Sequence, residues 1–413
     1  MKKEKLFNIT VKNIISCILI IFLCSIIGSL LLAIVYSIPL DSITKNVSES
    51  AIVLSNEGMY PHLFEWCTSR LDNSTDSIML LESCCDIEES IINKIMIVYR
   101  GSINGDAQYW SLLDRFVNNI NYEGYEGYAR YWHGYLVTLK PLLTIFTYQQ
   151  IRILNLIIQT LLTFIIFFIL YKNDLKKYII PYIICLLMIN PICIAYSLQF
   201  STCFYIFSLT SIAVLLSKSD KKWIIFLLSG IATAYFDFLT YPIVTLGIPL
   251  VFYVITNNRD GKSLLLSIVN ICIAWGLGYS LMWANKWLLA DILTNSGVIK
   301  NALEQVTLRT TGEIITDAEK VTRFDAIRNN FDKFFNTPFK YLLVISIFIS
   351  LFMIIKNKKR INIGKIIIFL LIGLLPIVWY FVVYNHSIIH NYFTNKALIT
   401  TIFSILASLA YLS

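Results

Sequence analysis

Residues 14–38 run twenty-five positions without a charge, directly behind Lys2, Lys3, Lys5 and Lys12. As a helix rising about 1.5 Å per residue, such a run crosses a hydrocarbon core of about 30 Å. Comparable runs recur at 153–171, 263–285, 341–355, 366–385 and 397–412. Residues 178–217 are forty positions without a charge and carry Asn190-Pro191 near the middle, so they divide into a helical hairpin. Residues 223–258 divide similarly around Asp237 and Pro242. The expected fold is an all-α polytopic membrane protein with about ten transmembrane helices. With 57% apolar and 15% charged residues, a soluble enzyme, a secreted disulfide scaffold and a disordered chain are excluded.

The formal charge of +8 reads as topology rather than as affinity for nucleic acid. Segments 1–13, 172–177, 218–222, 259–262 and 356–365 hold 17 of the 34 basic residues. They hold only four acidic ones, Glu4, Asp174, Asp220 and Asp260. Placing these segments and both termini in the cytoplasm leaves the two long loops outside. The first run exceeds a signal-peptide core and lacks a small-residue cleavage site before Pro39, so it is expected to stay as an anchor. The expected organisation is 1–38 as cytoplasmic N-terminus and anchor, 39–150 as a large first extracytoplasmic loop with juxtamembrane helices, and 151–285 as spans two to seven. Then follow 286–340 as a second long outer loop and 341–413 as spans eight to ten.

Chemistry is expected on the outer face, where His62, His133, His386 and His390 and 22 of the 26 carboxylates fall. Asp72 and Asp76 precede and enter a helical pattern at 77–81, where Thr75 or Asp76 could serve as its cap. A carboxylate held there could also accept a proton from an attacking sugar hydroxyl. Ile91, Ile92, Ile95 and Met96 have the spacing of a helix lying on a membrane surface. In 122–135, six aromatic residues surround Arg130 and His133, which could hold a phosphate beside rings suited to sugar faces or to the interface. Asp237 lies fourteen residues from Trp223, deep enough to be a functional ionisable group, with Lys286, Arg309 and Arg323 as possible partners. His386, His390 and Lys396 offer hydrogen bonds to a phosphate. The two histidines could bind zinc only if a carboxylate joined them, so a divalent metal is possible but not indicated and no metal ligand is assigned.

Cys67, Cys84 and Cys85 allow one disulfide in the first loop. No Walker motif or dinucleotide fingerprint is present, which argues against ATP-driven transport and a cytosolic nucleotide-sugar site. Lysine outnumbers arginine 24 to 10, and Ile and Asn are heavily used, as in products of AT-rich bacterial genomes.

An anchor, then a large outer loop with Asp72 and Asp76 entering a juxtamembrane helix, then many spans and a late polar segment at 385–396 together resemble the GT-C superfamily of integral-membrane glycosyltransferases. The resemblance implies transfer of a sugar from a polyprenyl-phosphate carrier, usually with inversion, to a cell-surface glycan or lipid-linked acceptor at the outer face of the plasma membrane. It implies a catalytic carboxylate in the first outer loop, by position Asp72 or Asp76, with Asp106 a third candidate. It also implies that Arg130, His386, His390 and Lys396 hold the carrier phosphate. The competing expectations are an O-antigen-type polymerase or ligase, whose largest outer loop comes late, and a lipid-linked sugar flippase without chemistry. Internal repeats, common in transporters, are not found in this sequence.

Overall fold

A computed structural model of the chain describes residues 11–103, 108–219, 221–259, 261–313, 315–316, 319–357 and 362–413. Asp106 lies outside the described residues. The chain opens with α1 (Val11–Tyr36), whose apolar side chains are mostly exposed, as a lipid-facing helix requires. The first loop then folds into α2 (Asp41–Glu57), α3 (Asn73–Ser83), α4 (Ile91–Ile97), α5 (Gln108–Phe116) and α6 (Leu136–Leu143). Between them β1 (Tyr99–Ser102) and β2 (Gly124–Gly127) pair antiparallel with Arg100 opposite Glu126. Part of the aromatic stretch is therefore a strand, which its tyrosine and glycine alternation permits but does not dictate. Ile95 and Met96 of α4 are buried against α1 and the later helix Gly261–Thr294, whereas Ile91 and Ile92 stay exposed.

A capping box at Thr147 and Gln150 starts α7 (Tyr148–Lys172). The expected hairpin at 178–217 is broken differently. It forms α8 (Ile179–Met188), α9 (Pro191–Tyr196) and α10 (Leu198–Leu216). Asn190 stands at φ 58°, its side chain accepts from the Cys193 N–H at 3.3 Å, and Pro191 occupies the first turn. Ten residues give α8 about 15 Å, half a hydrocarbon core, whereas α10 is long enough to cross. Next come α11 (Trp223–Phe236), α12 (Val244–Thr256) and the 34-residue α13 (Gly261–Thr294), which overruns the expected span by nine residues at its C-terminal end.

The second loop carries α14 (Val298–Thr311), the short antiparallel pair β3 (Ile315–Thr316) and β4 (Glu319–Lys320), and α15 (Arg323–Phe335). The C-terminal part consists of α16 (Lys340–Asn357), α17 (Ile363–Gly373), α18 (Leu375–Val382), α19 (Tyr384–Ile389), α20 (Asn391–Thr394) and α21 (Ile399–Leu412). Among the described residues, seven helical stretches are long and apolar enough to cross a membrane: α1, α7, α10, α13, α16, α17 with α18, and α20 with α21. The helices α11 and α12 are apolar but shorter.

Close packing of α11 on α13 depends on two glycines. A Cβ at Gly230 would sit 2.2 Å from the Trp275 carbonyl oxygen, and one at Gly278 would sit 2.3 Å from that of Leu227. Backbone meets backbone there, as small residues allow between membrane helices. Gly278→Val is expected to cost about 1–3 kcal/mol through overpacking. Thermal unfolding in detergent checks this, and an unchanged midpoint would contradict so close a contact.

Candidate functional site

The predicted site residues fall into three groups. The first surrounds Asp72 and Asp76, both wholly buried. Asp72, rather than Thr75 or Asp76, is the N-cap of α3, because its Oδ1 accepts from the Thr75 N–H at 3.1 Å. Its Oδ2 accepts from the Thr75 hydroxyl at 2.7 Å and the Tyr392 hydroxyl at 3.4 Å. Asp76, one turn on, reaches across to α10. It accepts from the backbone N–H groups of Leu198 at 3.0 Å and Gln199 at 3.1 Å, from the Ser197 hydroxyl at 3.2 Å and from the Tyr148 hydroxyl. It therefore supplies from α3 the cap that α10 lacks from its own Ser197. Burial pushes the Asp76 carboxyl up to about 7 against the Tyr148 hydrogen bond, with Asp72 raising it further and the Gln199 N–H and Arg152 lowering it.

Arg152 completes this group. Its guanidinium donates to Glu57 at 2.5 Å, Asn73 at 3.0 Å, the Tyr148 hydroxyl at 2.9 Å and the Tyr196 carbonyl at 2.8 Å. Arg152 was not among the expected site residues; a charge placed one turn inside an apolar helix is the sequence signal that could have found it.

The second group is structural cation docking. Lys286 of α13 is buried and donates to the last carbonyls of α4, Ile95 at 3.0 Å and Met96 at 2.9 Å. Lys396 is likewise buried, donates to the Thr68 carbonyl at 3.3 Å and lies 4.6 Å from the Phe200 ring centroid. His133 is buried with its Nε2 2.7 Å from the Tyr128 carbonyl and its Nδ1 2.9 Å from both Tyr135 Oη and Glu82 Oε2. Glu82, its partner, was not singled out from the sequence, since nothing local distinguishes it from a surface helical glutamate.

The third group encloses a cavity of about 360 Å³. Tyr131, Tyr279, Trp283, Trp287 and Trp379 supply its aromatic wall, and Arg130 and Arg309 both line it. Arg130 is anchored by Asn301 Oδ1 at 2.7 Å and lies over the Tyr128 ring. Arg309, from α14, donates to Nδ1 of His386, whose Nε2 donates to the Leu239 carbonyl at 2.7 Å. That pairing fixes the neutral tautomer. Burial, then His390 and Arg309, push the His386 imidazole well below its usual range, and burial and Arg309 hold His390 at about 4. Both rings therefore act as neutral hydrogen-bonding groups. The rings lie 4.7 Å apart, and His390 Nδ1 is buried without a hydrogen-bond partner among the described residues.

Asp237 adjoins this cavity through its turn, since Leu239 is part of the wall. None of its expected partners meets it. Its carboxylate accepts from the Thr240 N–H at 2.9 Å and the Thr240 hydroxyl. Lys286 and Arg309 are engaged as above, and Arg323 donates to the Phe381 and Thr310 carbonyls.

The nine cysteines are free thiols, including Cys67, Cys84 and Cys85, where a disulfide was expected as possible. Among the described residues, no group of three or more His, Cys, Asp or Glu side chains could hold a metal ion. Asp72 and Asp76 do not line the aromatic cavity; Arg130, Arg309, His386 and the Asp237 turn converge on it or directly behind it. Comparison of the chain with protein-family models, with curated proteins and with solved structures finds no match.

Proposed function

We propose that the chain is a plasma-membrane glycosyltransferase of the GT-C kind. It takes a sugar from a polyprenyl-phosphate donor and transfers it to a cell-surface acceptor on the extracytoplasmic face. Ten crossings result when α8 with α9, α11 and α12 are counted as short spans, with both termini cytoplasmic. One observation carries the reading: an aromatic cavity lined by two guanidinium groups and backed by a neutral histidine pair. Aromatic faces suit an isoprenoid chain and a sugar ring, and a guanidinium matches a phosphate through paired N–H donors. Donors set beside the leaving phosphate stabilise the charge that builds on it as the sugar departs.

The acceptor hydroxyl must lose a proton to a base. Asp72, Asp76 and Asp237 are the candidates, and the turn bearing Asp237 is the one that borders the cavity. Asp237→Asn is expected to lower transfer by about 10²–10⁴-fold, because the amide cannot take the proton. The test is transfer from a synthetic polyprenyl-phosphate sugar to a membrane extract by the purified chain in proteoliposomes, without added nucleotide. A donor moved across the bilayer but left chemically intact would establish a flippase and overturn the proposal.

A further inference from the structure

Arg70 lies near the end of the loop that joins α2 to α3. His62 and Arg70 form an antiparallel bridge, flanked by the Leu63 N–H on the Ser69 carbonyl at 3.2 Å and the Leu71 N–H on the Pro61 carbonyl at 2.8 Å. Bridged residues send their side chains to the same face, so the half-buried Arg70 stands beside the exposed His62. The central carbon of its guanidinium lies 4.3 Å from the Tyr60 ring centroid and 4.4 Å from that of Tyr392 in α20. The two rings meet at 65° with centroids 5.4 Å apart, so the cation occupies the corner between them. Ring faces fix a guanidinium without using up its N–H donors.

Those donors are idle. Among the described residues the Arg70 side chain makes no hydrogen bond and no ion pair, and its Nε is buried without a partner. Asp72 is the carboxyl nearest in influence: burial raises it, and the Thr75 hydrogen bonds and Arg70 pull against that rise. Its oxygens, however, accept from Thr75 and from the Tyr392 hydroxyl. A positioned guanidinium with free N–H groups, half open among aromatic rings, is a receptor for an oxyanion. Charge and shape decide which one. A lone guanidinium beside an acidic side chain suits a single negative charge better than the nearly two of a phosphate monoester. The parallel donors along a guanidinium edge match the two oxygens of a carboxylate, and tyrosine faces suit the C–H face of the sugar that bears it.

We propose that Arg70, Tyr60 and Tyr392 bind the carboxylate of an acidic sugar, and that this sugar belongs to the acceptor glycan. The second clause rests on the glycosyltransferase reading. The His390 ring lies 6.2 Å from Tyr392 and 4.7 Å from His386, which receives Arg309 from the wall of the aromatic cavity. A short series of rings therefore joins the anion site to the donor cavity. A saccharide anchored by its carboxylate at Arg70 presents the hydroxyl that receives the new sugar on the His390 side.

Binding is measured without transfer. The full chain in phosphatidylcholine nanodiscs would be titrated by saturation-transfer difference NMR with methyl glucuronide, methyl glucoside and a glucose methyl phosphodiester. The glucuronide is expected to bind about tenfold more tightly than either of the others, as a charge-assisted hydrogen-bonded pair provides. Arg70→Gln is expected to abolish that advantage. Arg70→Lys keeps the charge without the planar donors, is expected to lose about threefold, and serves should the first variant fail to fold. Glucuronide bound no better than glucoside, phosphodiester bound as tightly as glucuronide, or binding unchanged in the Arg70 variants overturns the inference. The acceptor clause is read by transfer to a membrane glycan extract before and after reduction of its carboxyls to alcohols. Transfer that survives reduction overturns that clause. Absence of transfer to either extract, with glucuronide still bound at Arg70, overturns the glycosyltransferase reading and the acceptor clause with it, and leaves the carboxylate site standing.

Discussion

Asp76→Ala is expected to lower the unfolding midpoint of the detergent-solubilised chain by roughly 5 °C, a change on the order of 3–5 kcal/mol. The carboxylate is wholly buried and receives two backbone N–H groups and two hydroxyls. Alanine leaves three of these donors without an acceptor in a site closed to water, the Tyr148 hydroxyl alone keeping the Tyr196 carbonyl at 3.4 Å, and each such loss costs about 1–3 kcal/mol before relaxation. The damage should concentrate at the start of α10, where the Leu198 and Gln199 amides lose their cap. Faster hydrogen exchange at those amides identifies the cause. Asp76→Asn retains one acceptor oxygen and should lose about half as much.

The same carboxyl makes stability depend on pH in a definite direction. Its folded value is raised to about 7 from an ordinary 3.8, mainly by burial. A raised carboxyl favours the folded state fully below about pH 4 and loses that contribution as pH climbs through 7. Wild-type protein should therefore melt higher at pH 5 than at pH 8, and Asp76→Ala should flatten this slope. The protonated form has a partner available, because the Tyr148 hydroxyl also lies 3.4 Å from the Tyr196 carbonyl and can donate there while accepting from Asp76. A wild-type midpoint that rises from pH 5 to pH 8 would contradict the assignment.

Which parts of this molecule were legible in the sequence follows from what each signal encodes. Charge-free runs report the cost of placing charge in hydrocarbon, so α1, α7 and α13 were found at nearly the right places. The interruption at 190–197 was only half legible. Asn190-Pro191 marks a break, but α9 is separated from α10 at Ser197, whose neighbours Asp76 caps from another part of the chain. A cap from a distant segment leaves no local pattern. Arg130 and the His386 pair stood out as polar residues amid aromatics, whereas Arg309 was marked only as a possible partner for Asp237. What stayed hidden was their pairing, since residues 309 and 386 meet only after α14 folds against α19. Glu82 and Arg100 were invisible for the same reason, being ordinary loop residues until the first loop buries them.

A large functional effect is also expected at Arg309. In the proposed transfer its guanidinium faces the donor phosphate from α14 while leaning on His386, so it contributes charge where the phosphate leaves and position through the histidine. Arg309→Ala should lower transfer by about 10²–10³-fold, the usual loss when one donor to a developing oxyanion is removed. The loss should fall mainly on kcat, because charge on the phosphate oxygen grows as the bond to the sugar breaks, with a smaller rise in KM from weaker donor binding. Arg309→Lys keeps the charge but not the planar pair of donors and should recover only part of the rate. His386 and His390 are held neutral well below pH 6, so the parent should show a flat pH dependence from 6 to 8 with respect to these rings. Arg323→Ala separates charge from architecture, since Arg323 holds carbonyls of Phe381 and Thr310 on the same side of the fold. Its loss should lower the melting point while leaving kcat within about threefold of the parent, an effect too small to reflect transition-state charge. Equal loss of kcat in the two variants would mean that the arginines merely hold α14 in place, and the phosphate assignment would have to be abandoned.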